Sequence, residues 1–415
     1  MPDTATPNAT QQTGNPQIVS LDIAIIGGGI AGLWLQNRLQ NSGYQTALFE
    51  SEALGSHQSV GSQGMIHGGI KYTLSGALSG ASEAIADMPA HWRACMAGKG
   101  DVDLRRAQIL SDHFYMWSSA SVSSRLTTFF ASKATRGRVE KVSARERPAI
   151  FQNPQFSGSL YRLVDMVLDV PSVIKALAEN MHGRLFQVDW TRARLARDNH
   201  NRVRLHLNEQ LIVEAKQFVF TAGKGNAELM AQLDITHPQM QIRPLQQVMV
   251  KHPYPYRFFG HCLGADKTPR LTISSHPCAD GQQVWYLGGS LAEKGATKSA
   301  ETVINHARKE LNTLMPWLDW SRAQYAALPI ERAEPRQKNL VRPDKAFAGK
   351  AEGVENVLVA WPTKLTLAPN LANEVLARLE QHSITPGNTT GFEALQGLPV
   401  PAVASPPWDS AFTRF

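Results

Sequence analysis

An apolar strand pattern at residues 18–26 runs directly into Gly27-Gly28-Gly29-Ile30-Ala31-Gly32, and from there into helical spacing at 33–42. No other stretch restricts the fold as strongly. Gly27 permits a tight turn, Gly29 lets a ligand approach the backbone, and Gly32 lets helix and strand pack closely. Ile30 and Ala31 head the helix, where unpaired N–H groups and the helix dipole favour a pyrophosphate. A second strand pattern at 44–50 ends in Glu50, eighteen residues after Gly32. An acid there can accept hydrogen bonds from a ribose diol and disfavours a 2′-phosphate. Strand, turn, helix, strand and acid together predict a dinucleotide-binding unit without NADP selectivity.

The rest of the chain is consistent with a soluble α/β protein. Of its 415 residues 43% are hydrophobic and 19% charged, enough apolar material for a large core. No apolar run reaches the length of about 18 residues that a membrane span needs. Residues 1–17 are polar, without a basic segment leading into an apolar run, and are expected as a disordered arm rather than a secretory signal. Three cysteines, Cys95, Cys262 and Cys278, lie far apart. They suit a reducing compartment, with the cytoplasm as the default. The histidines His57, His67, His91 and His113 show no metal-ligand spacing, and no metal is expected.

The formal charge of +7 leaves three readings open: scattered surface charge, attraction of an anionic substrate or membrane surface, or nucleic acid. The densest basic stretch, Arg192 to Arg197, is short. No nucleic-acid-binding signature accompanies it, so nucleic acid is not expected as a partner.

Further elements are expected as helices at 81–97, 171–181, 302–315 and 368–380, and as strands at 185–188, 202–207, 218–221 and 356–360. Residues 242–285 are β-rich. After about 383 the chain turns rich in Pro, Gly and Ser, and a loosely held tail is expected. The segment Ser62-Gln63-Gly64-Met65-Ile66-His67-Gly68-Gly69-Ile70-Lys71-Tyr72 separates two cofactor readings. An NAD dehydrogenase of the doubly wound kind would continue into further βα units. Here a glycine-rich polar segment follows instead, where a flavin would need close backbone contact.

At this point the chain resembles the D-amino-acid oxidase / glycerol-3-phosphate dehydrogenase-like superfamily of FAD-dependent oxidoreductases. The fingerprint with Glu50 is the first shared patch. Ile66 to Tyr72 is similar to the HGGLRY segment of the FAD-linked glycerol-3-phosphate enzymes. Phe218-Val-Phe-Thr-Ala222-Gly223 is similar to the strand that ends near the adenosine, with Asp169-Val-Pro171 upstream of it. Lys364-Leu365-Thr366 is similar to the end of a Gly-Gly-Lys-Leu-Thr segment. The chain departs from that last pattern, with Trp361-Pro362-Thr363 in front of the lysine, and no counterpart of the C-terminal helical domain of those dehydrogenases is expected in it.

The resemblance implies FAD as cofactor. It assigns FAD contacts to Gly27, Gly29, Ile30, Ala31, Gly32 and Glu50, and to Ser62, Gln63, Gly64 and Met65. It adds Val188, Ala222, Gly223, Thr363, Lys364, Leu365 and Thr366. It also implies an FAD-binding Rossmann-like domain of the glutathione-reductase type, joined to a substrate domain of β-sheet plus helices. The first domain is expected from 18–95, 150–225 and 335–385, the second from 96–149 and 226–334, with 386–415 as a Pro-rich tail.

The expected reaction is hydride transfer from a small anionic hydroxy-compound, such as a hydroxy acid or polyol phosphate, to flavin N5. An amine or amino-acid oxidase on the same fold is the alternative, and a flavoprotein acting on or binding tRNA a further one. Oxygen, quinone or a soluble carrier is the expected electron acceptor, with peripheral contact at the inner face of a membrane as an option. His67 is a candidate general base, or only a cofactor contact. Lys71 and Tyr72 are candidates for meeting an anionic substrate. Arg332 resembles an arginine that binds a substrate carboxylate or phosphate, with an ion pair to Glu331 or Glu334 as its other reading. Lys364 is a candidate for stabilising charge on the reduced flavin.

Overall fold

The structure, a computed structural model, describes residues 15–69, 85–119, 139–264 and 268–412. Two eight-stranded sheets dominate it, joined by a small three-stranded one. The first sheet is built on β1 (Gln17–Ile26), followed by α1 (Ile30–Asn41) and β2 (Thr46–Glu50). Its parallel part runs Leu185–Gln187, β2, β1, Leu211–Phe220 and Val357–Trp361. Inner parallel strands are covered on both faces, so they read as continuous apolar runs rather than alternations. From Leu21 onward β1 is buried residue by residue.

The register of this sheet builds the site. Ile26 pairs with both Phe49 and Phe220, and Phe220 with Val359. Four strands therefore end together, and Gly27, Glu50, Thr221 to Gly223 and Trp361 to Lys364 emerge at one edge. In open α/β sheets, ligands bind outside the carboxyl ends of the strands.

The second sheet is mostly antiparallel. One edge of it is a long ribbon of Met240–His252 against Gln324–Pro335. One face covers Val248 and Val250 with the helix Ala300–Leu314, whose Val303, Ala307, Leu311 and Leu314 form an apolar stripe. Ser299 caps that helix by accepting the Thr302 N–H. The opposite face of the ribbon presents Arg243, Leu245 and Gln247 to a cleft between the sheets.

Two expectations are corrected. The strand Ser159–Leu163, within the stretch assigned to the cofactor domain, pairs with Phe114–Ser118 in the second sheet. Local sequence says that a strand is present but not which sheet takes it. The tail also is not loosely held. Ser20 bridges Thr390 and Leu54 bridges Val403. Leu395 is fully buried, and Trp408 stacks on His276 at 4.6 Å. Single bridges, a 3-10 turn at Phe392–Gly397, the short helix Pro407–Ala411 and two apolar anchors tie the segment down.

Asp22 is the polar fastening of that tail. It is almost wholly buried on β1 and accepts the N–H of Gln45 at 2.8 Å and of Gly387 at 3.0 Å, with Lys216 Nζ at 2.7 Å. Burial alone would raise its pKa; the two N–H groups and Lys216 outweigh that and hold it below the ordinary carboxylate value. A lowered folded-state pKa means that the stabilisation is complete above the unfolded value near 4 and fades as pH falls through the folded value. Asp22→Asn should cost about 1–3 kcal/mol at neutral pH, measured by denaturant unfolding. The deficit relative to wild type should shrink in acid. An equal deficit at every pH would refute the ionic account.

Candidate active site

The cleft at the sheet edge has a volume of about 1070 Å³. Ordinary ligand pockets span roughly 300–1,000 Å³, so there is room for an extended cofactor and a small second molecule. At one end lies the glycine turn. A Cβ on Gly32 would come within 1.9 Å of the Gly27 carbonyl oxygen, and one on Gly27 within 2.5 Å of the Ala222 backbone. These two glycines are demanded by the protein's own packing. Gly29 differs, because a Cβ there would meet only Ser59 Oγ at 3.2 Å. Its missing side chain keeps the cleft clear for a ligand.

The N-terminus of α1 has no side-chain cap from Gly29 and no acid in its first turn, while Ser59 Oγ accepts the Ile30 N–H. Glu50 accepts the N–H of Gly28 and of Glu52, which fixes the carboxylate at the cleft margin. A carboxylate has about four acceptor positions, so capacity remains for a ribose diol. Ala222 and Gly223 line the same stretch, with Thr221 Oγ1 donating to Gly27 O. These features fit a dinucleotide such as FAD.

Val188 is placed differently from the other expected contacts. Its N–H donates to Glu50 O and its side chain packs into the core with Phe49 and Phe186, while Trp190 reaches the cleft. Ser62 to Met65 follow along the wall. Gln63 Nε2 donates to Tyr286 O, tying this loop to the second sheet.

Thr363 to Thr366 also line the cleft. Thr363 has φ +61, a left-handed conformation that is costly for a β-branched residue. This accounts for glycine in the related motif; here the Thr363 hydroxyl donates to Lys345 O, a partial compensation. Lys364 Nζ donates to Asp344 O at 3.2 Å. The helix after this turn begins as 3-10 at Leu365 and becomes regular at Ala368. Trp361 is fully buried, and its indole N–H donates to Gly223 O, which locks two of the strand ends together.

His67 sits among these groups. Its backbone N–H donates to Thr366 Oγ1, and its Nδ1 lies 3.3 Å from Asp165 Oδ2. Asp165, nearly buried, also accepts the Gly68 N–H at 2.8 Å. The second sheet contributes His261, whose ring stacks on that of His67 at 5.8 Å and whose Nδ1 contacts Thr272 Oγ1 at 2.8 Å.

Arg332 lies deep in the cleft wall. The two ion pairs that its sequence neighbourhood suggests do not form: Lys224 takes Glu331, and Arg243 takes the fully buried Glu334. Arg332 instead donates from Nε to Arg243 O and faces Glu293 at 3.8 Å. Burial, then Arg243 and Arg342, push its pKa down to about 10. Lys71 and Tyr72 lie outside the described residues.

Sequence reading missed Asp165, His261 and Arg342. None carries a local motif; His261 and Arg342 line the cleft and Asp165 stands behind His67. The fold also brings His91, Cys95 and Asp101 together. Asp101 is held there by His91 at 2.7 Å, by the Cys95 thiol and by Arg38. Burial pushes the Cys95 thiol up to about 12, so the thiol stays protonated as a donor to that carboxylate. Among the described residues no helix is long and apolar enough to cross a membrane.

Fold and cleft define a class of flavin-dependent oxidoreductases, and the comparisons agree. The chain belongs to the FAD dependent oxidoreductase family, whose model matches residues 22–375. It is 48% identical over 398 residues to the probable FAD-dependent oxidoreductase PA4991 of Pseudomonas aeruginosa, covering 96% of this chain and all of that one. The crystal structure of PA4991 matches with a TM-score of 0.82 over 96% of this chain and 99% of that chain. Glycine oxidase from Geobacillus kaustophilus matches at a TM-score of 0.63 and 17% identity, over 88% of this chain and 95% of that one. L-alpha-glycerophosphate oxidase from Mycoplasma pneumoniae, with FAD bound, matches at 0.63 and 15%, over 87% and 95%. The last two share the fold. The protein is thus an FAD-dependent enzyme.

Proposed function

We propose that this enzyme oxidises a small anionic hydroxy-compound, with His67 as the general base. The observation that carries the reading is the His67–Asp165 couple. A carboxylate can only accept, so Asp165 favours the tautomer with the proton on Nδ1 and the lone pair on Nε2. Side-chain exposures of 9% and 3% keep water from competing for that contact. Asp165 thereby strengthens the imidazole as a base for a substrate hydroxyl. Thr366 anchors the His67 backbone to the turn that carries Lys364. Arg332 and Lys364 give the cleft positive charge, which favours an anionic substrate. Bound FAD supplies the two-electron acceptor that takes the substrate hydride.

The resemblance of residues 66–72 to the glycerol-3-phosphate enzymes supports a hydroxyl substrate. The fold likeness to glycine oxidase supports the amine alternative. The test is anaerobic bleaching of bound flavin against a panel of hydroxy acids, polyol phosphates and amino acids. Bleaching by hydroxy-compounds alone is expected. Bleaching by amino acids with release of ammonia would overturn the hydroxyl reading.

A further inference from the structure

We propose that Arg342, acting with Arg332, clamps a dianionic head group, so that the substrate carries a phosphate monoester or a pair of carboxylates. This rests on the anionic-substrate reading above and sharpens it.

Arg342 lines the same cleft as Arg332. Its Nε is buried, with no hydrogen-bond partner among the described residues. The segment that carries it is fastened at several points. Gln241 Nε2 donates to Val341 O, Lys364 Nζ to Asp344 O and Thr363 Oγ1 to Lys345 O. Just upstream, Asn339 and Leu340 both hold left-handed backbone, at φ 60 and 52. Two such non-glycine residues in a row cost free energy, and strain of this kind persists where the surroundings impose it, often at functional sites. The consequence here is a guanidinium held at the cleft.

Charge balance points to the ligand. Arg243 is neutralised by Glu334, with Nε–Oε2 at 2.7 Å. Arg332 faces Glu293 at 3.8 Å, and that carboxylate is 44% exposed. The lowered pKa of Arg332 reflects burial and repulsion from Arg243 and Arg342. Two guanidiniums in a partly dry cleft are therefore opposed by one half-exposed acid. Uncompensated buried charge is unfavourable, and an incoming dianion relieves it. The planar guanidinium fork suits both carboxylate and phosphate oxygens. The cofactor's pyrophosphate has its own place at Gly29 to Gly32. The Arg342 segment is instead tied to Thr363 and Lys364, the turn that leads through Thr366 to His67.

The test titrates the FAD-loaded enzyme with methyl phosphate, malonate and acetate, following the visible flavin spectrum. Arg342→Gln should weaken one or both dianions by about tenfold or more, and acetate by less than about threefold. Arg342→Lys should fall between, which separates charge from misfolding. The tighter of methyl phosphate and malonate identifies a phosphate or a dicarboxylate head group. Equal losses for acetate and the dianions, no loss at all, or loss of FAD from the variant would each overturn the clamp. If wild type itself binds none of the three, the anionic-substrate reading falls with it.

Discussion

Replacing His67 by asparagine should slow anaerobic flavin reduction by about 10²–10⁴-fold, the usual contribution of a positioned general base. FAD should remain bound, because the His67 backbone contact to Thr366 does not need the imidazole. Asp165→Asn should also slow the reaction, through a different route. The asparagine amide is uncharged and has one acceptor oxygen instead of two, so the imidazole loses the charge that strengthens it, and its tautomer as well when the amide NH2 faces Nδ1. The same change removes the acceptor for the Gly68 N–H in half of the amide's orientations. The measurement is the rate of flavin bleaching against pH with a substrate from the panel. Any pH dependence that the base confers on the wild-type rate should disappear in His67→Asn. A rate within a few fold of wild type would end the base assignment and leave His67 as a cofactor contact.

The second large effect concerns two glycines of one motif that should fail differently. Gly32→Ala places a methyl group within 1.9 Å of Gly27 O and 2.7 Å of Thr221 Oγ1. Both belong to rigid strand ends, so α1 must move off β1. Overpacking of this kind costs about 1–3 kcal/mol or more, and the turn that should hold the pyrophosphate is displaced as well. The variant should unfold at lower denaturant and purify without its yellow colour. Gly29→Ala meets only Ser59 Oγ at 3.2 Å. It should keep near-wild-type stability as the apoprotein and lose FAD affinity alone. Equal stability losses in the two apoproteins would contradict the distinction between a packing glycine and a ligand glycine.

That distinction marks the limit of a motif read as letters. Gly27, Gly29 and Gly32 look equivalent in the chain, and Glu50 stands at a fixed interval after them. The sequence could propose a cofactor cradle from them because turn, helix and flanking strands are contiguous. Thr363 shows the opposite case. The chain departs from the related Gly-Gly pattern there, and Thr363 holds a φ of +61 that glycine would adopt freely, with its hydroxyl donating to Lys345 O.

The strand–turn–helix–strand unit, and with it a dinucleotide at the N-terminal half, was determined by the sequence itself. Local spacing encodes periodicity, turn geometry and the placement of one acid. The partners of the chemistry were decided by tertiary structure alone. Asp165 comes to His67 across 98 residues, and His261 is delivered by a different sheet. Arg332 escapes Glu331 and Glu334 because Lys224 and Arg243 take them. The tail, which composition marked as loose, is strapped to both sheets through Thr390 and Trp408. The physical reason is common to all four. Strand register and sheet packing bring together side chains whose spacing along the chain carries no period, so nothing local in the sequence could announce them.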